Sequence, residues 1–521
     1  MSTETIDVLI VGAGPAGSAL AIDLKRRGLS IRIVDKNLEA FPGSRAKGVQ
    51  PRSLEALEDL GVLDKVLASG SDYPLLGLHV GPLVIPWRMI SRQRATSDVP
   101  YPNTWLIPQF RTDAALHARL AELGCKVEFD RSLVDLSQTD DVVTTSIDGP
   151  NGLETVEARF VVGADGGAST VRRILGIDFA GSTHEEDRMI IADGTTEGLS
   201  RNRWHVWPGA AGRFVGACPL PGGDLFQWMI RLKPEEKPDL SLPALNARIQ
   251  ARIGKSKVVM RDVRWTSVFR PNIRLAEHYR RGRVFLAGDA AHVHTPAGAQ
   301  GLNTGIQDGY NLGWKLAQVL AGANAALLDT YQQERLPIAA SVLSLSTKKY
   351  EGIAKLDPSS IRRGKDEKQL AISYRGGPLA SGDATSKLKP GDRAPDATLL
   401  KPSGATERLF KTFLGPHFTA IAYGDEAARA LNALKWPNLG APLRRVFIDA
   451  APSFSNDYGF ADSEGTFRKA YGVVGQTTFL VRPDGYIAHI ATRNLSGALS
   501  GVVDRLAPTV TIETAIDNFL L

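Results

Sequence analysis

The chain opens on an alternation of short apolar runs and helix-like stretches. Ile6–Val11 is continuously apolar, as a parallel strand buried on both faces would be. Glycines at 12–17 break the run, residues 16–27 have helix-forming composition closed by Gly28, and a second apolar run, Ile31–Val34, ends at Asp35. Residues 36–175 mix helical patterns (52–60, 112–123) with strand patterns (142–147, 159–163). From about 180 to 270 the chain is richer in Trp, Phe and Arg and alternates with period two (203–206, 214–218, 225–231), which predicts a separate sheet. Strand–turn–helix character returns at 283–320. Residues 351–389 are polar and rich in Gly, Ser and Lys, as a linker is, and 390–521 mixes strands (418–423, 478–481, 487–490) with helices.

Length and charge narrow the class. At roughly 100–200 residues per domain, 521 residues make two to four units. With 43% hydrophobic and 23% charged residues and a diffuse net charge of +6, the pattern is that of a soluble globular protein without a nucleic-acid tail or membrane patch. Two cysteines, Cys125 and Cys218, exclude a disulfide scaffold and a CxxC centre and suit a reducing compartment. No apolar stretch approaches the ~20 residues of a membrane span. The acidic N-terminus runs straight into a motif and does not read as a signal peptide, so a cytoplasmic location is expected.

Gly12, Gly14 and Gly17 form GxGxxG between strand and helix, with Pro15 and Ala16 opening the helix and Asp35 lying 21 positions beyond Gly14. Such glycines allow a tight turn, close approach to a pyrophosphate and close helix–strand packing, while the helix start offers free N–H groups and the acid can bind a ribose. By itself this motif leaves NAD and FAD open.

Two further motifs, GADGGASTVR at 163–172 and GRVFLAGDAAHVHTPAGAQGLN at 282–303, each follow an apolar strand and carry an Asp beside glycine. Together the three resemble the flavin-dependent aromatic hydroxylases, the single-component monooxygenases typified by para-hydroxybenzoate hydroxylase, over roughly residues 5–350. The resemblance implies a discontinuous Rossmann-like FAD-binding domain (1–175 and 276–350). A substrate-binding sheet domain (176–275, with 71–105 as an extension) would be interleaved with it, an α/β architecture overall. It implies that Asp165 and Gly166 serve FAD and NAD(P)H, that Asp289 binds the ribityl chain, and that Lys36, Arg45 and Gln109 contact the cofactor. Pro296, Gly298, Gly301, Leu302 and Asn303 would form the flavin-side loop and helix start. There N–H groups can face the negative charge of reduced flavin, and small residues leave room for oxygen.

Asp289, His292 and His294 also form DxxHxH, a pattern that metal sites use. On a strand-to-turn segment beside Gly288 and before Pro-Ala-Gly, packing near a flavin is the expected role, and no metal is expected. The chain holds one complete GxGxxG, which argues against a second, NADPH-holding Rossmann domain, and WHVWP at 204–208 misses the WxWxIP spacing of flavin-dependent halogenases. NAD(P)H then binds transiently, and by resemblance a mobile flavin ring reacts with O2 to a hydroperoxide that hydroxylates an electron-rich phenolic or polycyclic aromatic. Epoxidation or ring cleavage of a fused-ring compound, or ligand binding without catalysis, are the alternatives. His205, Arg213 and His294 are candidates for a base, and Trp204, Trp207, Phe214, Phe226 and Trp228 for the substrate pocket.

GDRAPDATL near 391 and TTFLVRPDGYIAHIATR at 477–493 resemble the thioredoxin-like C-terminal domain of phenol and polyketide hydroxylases. Both cysteines precede residue 390, so a structural or oligomerisation role is expected there, with a homodimer left open.

Overall fold

The computed structural model describes residues 5–89, 91–209, 214–254, 257–295, 299–354, 366–454 and 458–496, with 501, 503 and 506. The first sheet has seven strands, of which four are parallel and adjacent, in the spatial order Ile31–Val34, Ile6–Val11, Gly152–Gly163, Val284–Leu286. Val284–Leu286, with its antiparallel neighbour Arg280–Arg281, thus joins parallel strands that lie more than 100 residues earlier in the chain. The first half of Gly152–Gly163 also pairs antiparallel with Val143–Gly149, which pairs in turn with Ser132–Gln138. Helices Pro15–Lys25, Gln109–Glu122 and Gly301–Leu320 cover the parallel strands, and the largest apolar core lies between these layers.

A second sheet of eight strands includes Met189–Glu197, Leu225–Arg231, Val215–Pro219 and Arg203–Trp207, extended by the hairpin Leu75–Val80 and Leu83–Trp87. Helix Leu242–Ile253 covers one face, where Leu245 and Ile249 pack against Ile190, Phe226, Trp228 and Ile230. The other face meets the first domain through Ser44 and Lys47. Asp193 accepts from the Ser44 amide (2.7 Å) and hydroxyl (2.5 Å), and Lys47 Nζ donates to Gln227.

The C-terminal region holds a six-stranded mixed sheet in the order Ser381–Gly382, Ile487–Ala491, Thr477–Val481, Phe418–Tyr423, Leu443–Ile448, Gly459–Phe460. Its core is not separate from the rest. Trp314 of helix Gly301–Leu320 packs edge-on against Phe418, 5.6 Å between ring centres, within one buried cluster.

The expected linker is corrected over 366–389. Glu367, Lys368 and Gln369 are buried, Gln369 bonds to Gln300 (2.6 Å) and Gln307 (2.6 Å), Tyr374 takes a hydrogen bond from Arg335, and Ser381–Gly382 is a sheet strand. Composition signalled a loose tether. Here those polar side chains are spent on specific buried hydrogen bonds. Residues 355–365 lie outside the described residues.

Candidate cofactor and substrate site

The three glycine motifs and Asp35 end at one edge. The loops after Ile6–Val11, Ile31–Val34, Gly152–Gly163 and Val284–Leu286 leave the carboxyl ends of adjacent parallel strands, where open α/β sheets bind ligands. The three glycines of the first loop have different tasks. At Gly12 (φ +108°) a Cβ would lie 2.3 Å from the Ala164 carbonyl oxygen, and at Gly17 one would lie 2.0 Å from the Gly12 carbonyl oxygen. At Gly14 a Cβ would meet nothing within 4 Å. Two glycines therefore let backbone pack against backbone, and the third leaves free space in front of the helix start at Pro15 and Ala16. Asp35 is fixed beside that space: Oδ2 accepts from the Ala13 amide (2.8 Å) and Oδ1 from the Asn37 amide (2.9 Å). Lys36 is exposed next to it.

Helix Gln109–Glu122 turns a polar face to the same loop. Gln109 Nε2 donates to Asp113 (3.4 Å), and His117 Nε2 bonds to the Ala13 carbonyl (2.9 Å). Asp113 is buried, with Oδ1 lacking any partner. Burial pushes its pKa up to about 8, with the nearby Asp35 charge adding to the rise, so it is protonated at neutral pH. Gln109 is among the residues expected from sequence; Asp113 and His117 are not, because an acid and a histidine on an amphipathic helix read as its solvated face.

Asp165 works inside the protein. Its carboxylate accepts from the Ser169 hydroxyl (2.5 Å) and the Thr170 amide (2.7 Å), fixing the turn in which Gly166 takes a φ of +81°. Asp289 contrasts with it. No hydrogen bond or ion pair reaches its side chain among the described residues, and solvent does. A Cβ on Gly301 would be 3.9 Å from Asp289 Oδ1 and 3.7 Å from His294 Cδ2, so acid, histidine and helix start share one wall. Leu302 packs half-buried against the main core. Asn303 is fully engaged: Oδ1 accepts from the Gln50 amide (2.7 Å), and Nδ2 donates to the carbonyls of Gly48 and Ala299 (2.8 Å each). It clamps the 48–50 segment to the helix start. Pro296 and Gly298 lie outside the described residues, as does Arg213.

The free space at Gly14, the tethered Asp35 and the unpartnered Asp289 suit a long dinucleotide with two ribose-type polyols. The comparisons settle which. Residues 5–346 match the model of the FAD binding domain. A flavin-dependent monooxygenase of Mycobacteroides abscessus is 40% identical over 92% of this chain and 96% of its own length. This chain belongs to the flavin-dependent aromatic monooxygenases. FAD is its cofactor. The 12-dehydrotetracycline 5-monooxygenase/anhydrotetracycline 6-monooxygenase of Streptomyces rimosus subsp. rimosus is 34% identical over 93% of this chain and 95% of its own. The crystal structure of aklavinone-11 hydroxylase with FAD and aklavinone superposes with a TM-score of 0.82 at 27% identity, covering 98% of this chain and all of that one.

The monooxygenase's second sheet sorts the expected pocket residues onto two faces. Trp204 faces the FAD domain, where Lys47 Nζ lies 4.3 Å from its ring centre and Tyr73, Leu76, Met89, Cys218 and Met229 surround it. Phe226 and Trp228 belong to the opposite face, packed under helix Leu242–Ile253, and Trp207 stacks on Trp228 there at 6.1 Å. These three are thus not brought together with Trp204, because strand alternation sends neighbours to opposite sides. His205 also lies on the outer face, between His79 (2.9 Å) and the Ser200 carbonyl (2.8 Å), beside a 420 Å³ concavity lined by His79, Arg203, His205 and Trp207. That concavity is behind the sheet and is not the cofactor cleft. Phe214, half-buried, sits just before strand Val215–Pro219.

Among the described residues no helix is long and apolar enough to cross a membrane.

Proposed function

We propose that this monooxygenase hydroxylates a fused-ring, phenol-type aromatic, taking electrons from NAD(P)H and oxygen from O2. The observation that carries the substrate class is the inner wall of the second sheet. The broad ring of Trp204 is flanked by flexible Met89 and Met229, with Lys47 and Gln227 as the polar groups at one end. A mostly apolar wall with few polar anchors suits a wide, flat molecule carrying oxygen substituents. Likeness along nearly the whole chain to an anhydrotetracycline monooxygenase and to aklavinone-11 hydroxylase supports the same reading.

Bound FAD supplies the redox chemistry and oxygen activation. The protein's own groups bind and orient. The 12–17 turn and the helix behind it would hold the pyrophosphate, Asp35 a ribose, and Asp289 the ribityl hydroxyls. The start of helix Gly301–Leu320 would face the flavin ring with unpaired N–H groups. Trp204 and its neighbours would lay the substrate flat and keep water from the reacting face. The C-terminal unit, whose sheet runs from Ser381–Gly382 to Ile487–Ala491, is thioredoxin-like without redox cysteines, and its role is structural.

The test is a panel of simple phenols, flavonoids and polycyclic phenols, scored for stimulated NAD(P)H oxidation and for products heavier by one oxygen atom. Polycyclic phenols are expected to give both. Oxidation that no aromatic stimulates, or that yields only hydrogen peroxide, overturns the reading.

A further inference from the structure

Three guanidinium groups without an acid partner stand along the seam where the FAD-binding half meets the second sheet. Arg45 follows Ser44, whose amide and hydroxyl donate to Asp193, and precedes the 48–50 segment that Asn303 clamps to the start of helix Gly301–Leu320. Arg111 lies two residues beyond Gln109 on helix Gln109–Glu122. Arg264 comes just before strand Trp265–Phe269, and its amide donates to the Asp193 carbonyl (2.8 Å). The Phe110 amide donates to the Gly43 carbonyl (3.2 Å), and Trp265 stands edge-on to Phe41 with ring centres 5.2 Å apart. Residues of both domains thus make one surface.

Aromatic rings hold the cations in place and leave their N–H groups free. The Arg264 guanidinium lies 4.4 Å from the centre of the Phe110 ring, Arg111 lies 5.6 Å from the same centre, and Arg45 lies 5.6 Å from that of Phe41. Arg45 and Arg264 are exposed, and among the described residues neither side chain makes a hydrogen bond or an ion pair. Arg111 donates to the Gly222 carbonyl, while its buried Nε has no partner. Two acids of the seam are engaged elsewhere, Asp193 by Ser44 and Asp262 by the Thr195 amide (2.7 Å). An arginine is charged at every working pH, so this positive charge depends on no assignment of protons. Planar guanidiniums stacked on rings, with no carboxylate to neutralise them, are suited to phosphate.

We infer that this seam is the phosphate dock of the reducing dinucleotide, NAD(P)H, with Arg264 as a binding residue and Arg45 and Arg111 beside it. This rests on the function proposed above. Two phosphate-bearing molecules serve such an enzyme. The phosphates of FAD have the Gly12–Gly17 turn, and the chain holds one complete GxGxxG, so the second dinucleotide has no glycine loop of its own. A phenol-type aromatic carries no comparable charge. Exposed cations also suit a ligand that arrives and leaves in every turnover, because surface charge speeds encounter without deep burial. Two groups offer the same chemistry: the pyrophosphate common to NADH and NADPH, and the 2′-phosphate of NADPH alone.

The test compares FAD-loaded parent, R264Q and R261Q. Arg261 is exposed three residues away but paired with Glu197, and it serves as the control. Anaerobic reduction of the bound flavin is followed by absorbance against NADPH or NADH concentration, giving a half-saturating concentration and a limiting rate. FAD affinity is read separately by fluorescence titration of flavin-stripped protein. R264Q is expected to raise the half-saturating concentration about ten-fold, the size of one lost hydrogen bond to a charged group. Its limiting rate and FAD affinity should stay within about two-fold of the parent, as should every value for R261Q. A rise with NADPH but not NADH assigns the 2′-phosphate, and a rise with NADH the pyrophosphate; either supports the inference. Unchanged half-saturation with both nucleotides, an equal rise in R261Q, or a matching loss of FAD affinity overturns it. Parent protein whose flavin neither nucleotide reduces would fail the proposed function instead, before any variant is compared.

Discussion

Asp113 shows how a single buried side chain can make the stability of the fold depend on pH. Gln109, Asp113 and His117 are spaced four apart, so they stack along one helix face. That face meets the Ala13–Asp35 turn, and Asp113 is left buried, protonated and one hydrogen bond short. Its pKa is raised in the folded state, so between the ordinary carboxylate range and about pH 8 the folded protein holds a proton that the unfolded chain has lost. Stability therefore falls as pH rises through that window. Asp113→Asn keeps the shape and removes the titration. In flavin-free protein, the melting temperature of the variant is expected to decline less between pH 5 and about pH 8 than that of the parent, with the variant the more stable at the upper end; parallel profiles would contradict it. Sequence marked the neighbouring Gln109 through its IPQFR context, but not Asp113. A carboxyl group is legible as a site residue beside glycine in a motif, as Asp165 and Asp289 are; on an amphipathic helix it is not, until the fold shows which way that face turns.

At the scale of elements, the FAD-binding half depends on how closely helix Gly301–Leu320 approaches helix Pro15–Lys25. Apolar spacing at Ile306, Tyr310, Gly313, Ala317 and Leu320 marks the helix in the sequence, yet the contact is made by Gly305, Gly309 and Gly313. A Cβ on Gly309 would sit 2.6 Å from the Ala16 carbonyl oxygen and 2.9 Å from the Leu20 amide nitrogen, backbone atoms that cannot step aside. Gly309→Ala is expected to cost about 1–3 kcal/mol, the usual penalty of overpacking. It should also weaken FAD binding, because the displaced helix begins at the phosphate-binding turn. Gly305→Ala, whose new methyl would meet Ala16 Cβ at 3.3 Å, should be milder on both counts. Denaturant unfolding and FAD titration of the two variants check this order. Strands of the second sheet were as legible as the helices, their faces less so. Period two separates Trp204 from Trp207, but with aromatics on both sides nothing in the pattern tells the face against the FAD domain from the face under helix Leu242–Ile253.

For the whole molecule, the question is whether the C-terminal sheet is an appendage or a structural member. The polar composition of 351–389 suggests an appendage, while the contacts make it a member, since those polar groups find partners far away in sequence. Arg482 lies at the centre of the join. It bonds to both carboxylate oxygens of Glu334 (2.5 and 3.0 Å) and to Asp484 (2.5 and 2.9 Å), while Lys315 Nζ reaches Glu334 at 2.8 Å. Glu334 and Lys315 belong to helices of the FAD-binding half, and all four side chains are buried. Two cations balance two carboxylates, and Arg482 and Lys315 overcome burial to hold the Glu334 pKa down at about 2. Arg482→Ala removes one cation and leaves Glu334 and Asp484 sharing Lys315, at an expected cost of about 3–5 kcal/mol, as for other buried pairs broken on one side. Because Trp314 and Phe418 share one core, the two halves should also melt together. Calorimetry of the FAD-loaded parent is expected to show a single transition, and R482A a single transition at lower temperature. Two transitions in the parent, or an R482A midpoint equal to the parent's, would instead make the C-terminal unit an independently folded attachment.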